Sequence, residues 1–135
     1  MYLKKSYIKN GIMNLTLLRN SKIFRIFNVE AHLIVTAWSN GKNGFGLKMS
    51  ARDRDLQINK EWKTVILHLE GHPNPVVANI DKSNFWHKCP EFINKEIKDW
   101  LTNNNYISWE KRKPPKFPMN YIHSNEFKVQ NKSTR

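Results

Sequence analysis

Between Ser83 and Asn104 the chain reads SNFWHKCPEFINKEIKDWLTNN. Ile93, Ile97, Trp100 and Leu101 recur there at i, i+4, i+7 and i+8, with Phe92 beside them, as the apolar stripe of a helix does. Lys95, Glu96, Lys98 and Asp99 fill the other side. Ser83 or Asn84 is suited to cap the first turn, Pro90 to a first helical position, and Glu91 to the positive end of the helix dipole. The run Asn103-Asn104-Asn105 is a stop signal. The pattern predicts one principal helix over about residues 90–103, whose stripe needs a sheet or a second helix to cover it.

Other stretches carry strand patterns. AHLIVTAW, from Ala31, is apolar and β-branched, and SNGKNGFG after it holds two Asn-Gly turn signals. GLKMS is the expected partner strand, giving a hairpin with a loop around Ser39 to Gly44. In KTVILHLEGHPNPVVANI, Val65, Leu67 and Leu69 alternate with Ile66, His68 and Glu70. Gly71 to Asn74 is turn chemistry, and PVVANI supplies the returning strand. ARDRDLQINKEW is polar and aperiodic, so it reads as a loop or a single helical turn. After the helix, YISW is a candidate short strand, EKRKPPK an extended connection, and KFPMNYI and EFKV two last strands joined by His123-Ser124-Asn125. The assembled expectation is an α+β fold: a mainly antiparallel sheet of about five or six strands, with the helix packed on a face. Trp38, Trp62, Phe85, Trp86 and Trp100 are expected to cluster between the two.

Length and composition bound this picture. A chain of 135 residues that is 39% hydrophobic can bury a core without disulfides or metals. The one cysteine, Cys89, forms no internal disulfide and suits a reducing, cytoplasmic setting. No stretch approaches the roughly 20 apolar residues of a membrane-spanning helix. The first 30 residues are basic and weakly patterned, with Met13 an alternative start. Asn14 and Thr16 interrupt their apolar patch and no small-residue cleavage site follows, so the segment is not read as a signal peptide. The expected organisation is a basic extension over 1–30, one domain over 31–129, and a tail over 130–135.

Charge adds the most. Lys and Arg number 23 against 11 Asp and Glu, a formal net charge of +12. Residues 1–30 and 111–135 hold nearly all of the excess, and the middle of the chain is close to neutral. Basic ends on a balanced body fit a polyanionic partner, nucleic acid above all, although solubilising tails produce the same bulk charge.

Several constellations carry candidate chemistry. Trp109-Glu110-Lys111-Arg112-Lys113-Pro114-Pro115-Lys116-Phe117 interleaves cations, aromatics and a stiff Pro-Pro pair. The cations suit phosphates and an aromatic face suits a base, unless Trp109 and Phe117 are core anchors. In Arg52-Asp53-Arg54-Asp55 an extended backbone would aim both guanidinium groups one way, to grip a phosphate or a guanine edge; the alternative is that each arginine pairs with a neighbouring aspartate to pin a loop. Asp53 and Asp55 followed by Glu61-Trp62-Lys63 match, weakly, the acidic and Glu-x-Lys order of metal-dependent nucleases. His68, His72, His87, Cys89 and His123 offer metal-ligand atoms without a repeated ligand spacing, and Cys89 near a helix N-terminus is a conceivable nucleophile.

These readings point to a small non-catalytic nucleic-acid-binding module without a cofactor or resident metal. Its expected contact surface is Arg52, Arg54, Trp109, Lys111, Arg112, Lys113 and Lys116. A protein-interaction module (adaptor, antitoxin or inhibitor) is the second reading, and a metal-dependent nuclease the third.

Overall fold

Strand β1 (Leu33–Ser39) sets the pattern of the fold, burying Leu33, Val35 and Ala37 and leaving Ile34, Thr36 and Trp38 on its other side. The computed structural model describes residues 33–41 and 44–131. The remaining strands are β2 (Phe45–Lys48), β3 (Thr64–Leu69), β4 (Val76–Asn79), β5 (Glu91–Phe92), β6 (Lys116–His123) and β7 (Glu126–Val129). Register places Val35 opposite Phe117, Ala37 opposite Leu47, Leu47 opposite Phe92 and Leu67 opposite Phe127. One face is therefore continuously apolar, and Val35, Leu47, Leu67, Phe92, Phe117 and Phe127 are all 0% exposed.

The strands form a mixed, nearly barrel-shaped sheet of seven in the order β4-β3-β7-β6-β1-β2-β5. This corrects the expected five or six mainly antiparallel strands. The additional strand, β5, has two residues, too few for an alternating pattern to reveal. The exception to antiparallel pairing is β3 with β7, where Ile66 lies opposite Glu126. That pairing is non-local and leaves no trace in the sequence. It places the β6–β7 hairpin in the middle of the sheet, between the β3–β4 and β1–β2 hairpins. Both of those hairpins lie where the turn signals put them.

The helix is shorter than its stripe. Ser83–His87 forms a separate short helix, with α1 at Ala51–Gln57, α2 at Ser83–His87 and α3 at Lys95–Asn103. Asn94 caps α3: its side-chain oxygen accepts from the Glu96 N–H at 2.7 Å, and its amide donates to the Val77 carbonyl at 2.8 Å. Pro90 and Phe92, expected inside the helix, precede it, with Phe92 buried in β5. Ile93 is 48% exposed, while Ile97, Trp100 and Leu101 are buried as the stripe requires. The asparagine stop holds, with Asn104 at the C-cap and Asn105 left-handed at φ 64°.

The five aromatics expected to cluster divide instead. Trp100 packs with Tyr106 and Phe117, at centroid distances of 6.0 and 5.1 Å. Phe85 packs with Trp86 and Phe92, and Trp62 with Phe127. Trp38 stands on the opposite face of β1. The YISW stretch is not a strand; Tyr106 packs against Trp100 and Phe117, and Trp109 against Phe45 at 6.4 Å.

Ala51–Glu61 belongs to a compact unit distinct from the one that holds the sheet. Residues 1–30 and 132–135 of the expected extension and tail lie outside the described residues. Gln130 and Asn131 are bonded in, their N–H groups donating to the Pro118 carbonyl and to Glu70. Among the described residues no helix is long and apolar enough to cross a membrane.

Candidate nucleic-acid interface

Alternation that buries one face of the sheet presents the other. In register, Lys48 of β2, Thr36 of β1 and Lys116 of β6 lie side by side, so two exposed lysines flank a threonine across three strands. Two strand spacings put the lysine backbones about 10 Å apart. Further along the same face Lys128 of β7 stands between Asn120 and His68. The ion pairs of the described residues engage Arg54, Lys63, Lys95, Lys113 and three histidines. Lys48, Lys111, Arg112, Lys116 and Lys128 take part in none of them. Glu91 beside Lys48 and Glu126 beside His68 are the acidic neighbours on this face.

Trp38 adds an aromatic surface next to the lysine row. Its cross-strand partner is Gly46, and a Cβ built on Gly46 would stand 2.8 Å from Trp38 Nε1 and 3.2 Å from Cε2. The indole therefore lies across the bare backbone of the glycine, a placement any larger residue would prevent. The other anchored tryptophans have their indole N–H satisfied: Trp86 by the Ile80 carbonyl at 3.0 Å and Trp100 by the Glu70 carbonyl at 2.8 Å. Trp38 Nε1 is buried with no hydrogen-bond partner. Leaving a buried donor unmade costs about 1–3 kcal/mol.

The basic connection before β6 is folded rather than simply extended. The Lys113 N–H donates to the Glu110 carbonyl at 2.9 Å, closing a turn with Lys111 and Arg112 at its corners. Arg112 holds φ 65°, a left-handed conformation that costs a non-glycine residue about 1–2 kcal/mol. Lys111, Arg112 and Lys113 are all exposed at this corner, with Lys113 facing Glu110 at 3.4 Å. Pro115 is buried and its carbonyl accepts from the Ala37 N–H at 3.0 Å, which fastens the turn to β1. Trp109 is half-buried against Phe45 and Phe117 is fully buried, so the core-anchor alternative describes Phe117.

Arg52 and Arg54 are placed differently from expectation. Their segment is helical, so the alternation that would have aimed both guanidinium groups one way does not arise. Arg52 is exposed; Arg54 is 8% exposed, and its Nε donates to Asp55 at 3.0 Å. Arg54 is accordingly not an exposed contact residue. Both belong to the unit of Ala51–Glu61, and the lysine row belongs to the other.

The remaining candidates are held in local pairs. Lys63 faces Asp81 at 3.4 Å, His68 meets Glu126 at 2.7 Å, and His72 meets Glu96 at 2.8 Å. Cys89 is exposed and follows α2 rather than beginning α3, which removes the helix-N-terminus argument for a reactive thiol. Among the described residues no three of His, Cys, Asp and Glu come together as a metal ion would require. Lys48, Thr36 and Trp38 were missed by sequence reasoning. The parity of β1, with Leu33, Val35 and Ala37 buried, was the signal that could have assigned Trp38 to the open face. Comparison with known protein families, curated proteins and solved structures finds no match.

Proposed function

We propose that the chain is a non-catalytic nucleic-acid-binding module, with Lys48, Lys116 and the Lys111–Lys113 turn forming the phosphate-contacting surface. The observation that carries this reading is the lysine row on the open face of the sheet, whose charges no carboxylate among the described residues neutralises through an ion pair. Desolvating such cations is justified by a partner that supplies dense negative charge, and displaced counterions make the affinity depend on salt.

Titration of the full chain with short oligonucleotides at two salt concentrations tests the reading. Binding is expected to weaken steeply as salt rises, and a Lys111/Arg112/Lys113→Ala triple variant is expected to bind less tightly with a shallower salt dependence. A flat salt response, or no binding at low salt, overturns it. A second reading, a protein-interaction module, draws on the exposed apolar residues Val77 (52%) and Ile93 (48%). It predicts a stable protein complex that survives high salt.

A further inference from the structure

We infer that the strand class is single-stranded RNA, laid across the open face of β2, β1 and β6 with one base stacked on the Trp38 ring. This inference rests on the nucleic-acid reading above and names the substrate of the same surface. Three observations converge on it.

The first is the ring itself. Gly46 opposite Trp38 lets the indole lie across the sheet, and the glycine contributes no side chain to cover it. The ring is half-buried, and the part that stays exposed can meet an unpaired base, whereas a base inside a duplex cannot reach it without unstacking. The second is the missing hydrogen bond. Trp86 and Trp100 have a backbone carbonyl on Nε1 and Trp38 has none, so anchoring by the indole N–H does not account for this residue's position. The third is charge complementarity at the right range. Lys116 and Lys48 flank Thr36, and Thr36 is two residues from Trp38 on the same side of β1. Two phosphates on the lysines and a base on Trp38 follow one extended strand, as in sheet platforms that combine cations with stacking.

Thr36 favours RNA over DNA. Register sets Thr36 between the two lysines, and a hydroxyl at that position, which both donates and accepts, can meet a ribose 2′-OH.

The test is fluorescence titration of the full chain with a single-stranded RNA decamer, the single-stranded DNA decamer of equivalent sequence, and the corresponding duplex. The RNA strand is expected to bind tightest and the duplex weakest. Trp38→Ala is expected to weaken RNA binding about tenfold, with Trp38→Phe retaining most of the affinity. The salt slope should stay the same in Trp38→Ala, because the phosphate contacts remain. Thr36→Val is expected to narrow the RNA preference. Duplex binding as tight as single-strand binding, unchanged affinity in Trp38→Ala, or equal affinity for the RNA and DNA strands overturns this inference and leaves the broader reading standing. No binding of any of the three at low salt overturns both. Circular dichroism of each variant identifies a loss of fold, in which case Trp38→Phe and Trp38→Tyr carry the comparison.

Discussion

Trp100 and Trp38 belong to the same compact unit and are handled in contrasting ways. Trp100 is 1% exposed, packs against Tyr106 and Phe117, and donates its indole N–H to the Glu70 carbonyl. Trp38 is half-buried, lies across Gly46, and has no partner for its N–H. The first belongs to the apolar face of the sheet and satisfies both requirements of a buried tryptophan, contact area and a hydrogen bond. The second stands on the lysine-bearing face, where only one requirement is met. The contrast separates residues that hold the fold from residues that the fold displays.

The largest expected effect tests the holding side. Trp100→Ala should destabilise the protein by about 3–5 kcal/mol in chemical denaturation, from lost burial and the cavity left behind. A loss below ~1 kcal/mol would place Trp100 outside the core. Next is the position that links the two faces. Gly46→Ala brings a methyl group within 2.7 Å of the Phe92 carbonyl and 2.8 Å of the Trp38 ring. Because one obstacle is backbone, the expected cost is about 1–3 kcal/mol, together with a displaced indole visible in the fluorescence spectrum.

Smaller effects belong to the display side. Arg112→Gly relieves a left-handed arginine and should raise stability by about 0.5–1 kcal/mol while weakening oligonucleotide binding. Opposite signs in the two measurements would separate a displayed residue from a structural one; a loss of stability would remove the strain argument. Lys116→Ala should change stability by no more than about 0.5 kcal/mol and lower the salt slope for a single strand by roughly 0.7, the increment for one phosphate contact.

How far the sequence disclosed this division depends on how local each feature is. The β1–β2 hairpin was legible because Asn-Gly signals and strand propensity act over a few residues. The end of α3 was legible in three consecutive asparagines. Its beginning was not: Phe92 and Ile93 satisfy helical spacing by coincidence, while Asn94 makes the cap and Phe92 pairs with Leu47. Arg54 was misplaced because alternation was applied to a segment that is helical. Lys116 was recognised from its basic surroundings, but the adjacency of Lys48 and Lys116 exists only through Thr36, in a register set by strands distant in the chain. Surfaces assembled from several strands cannot be read from any one of them.

The central place of the β6–β7 hairpin bears on the order in which the chain acquires its structure. The β1–β2 and β3–β4 hairpins are each closed locally, but among the described residues no strand pairing joins one to the other except through β6 and β7. Until residues 116–129 emerge during synthesis, the two earlier hairpins have no common sheet and are linked through β5 on β2 and the bonds of Asn94 and Trp100 to the β3–β4 hairpin. Such late, long-range closure predicts slow folding for a chain of this size. It also predicts that a truncation before Lys116 leaves two hairpins without a common sheet, each at most marginally stable in water.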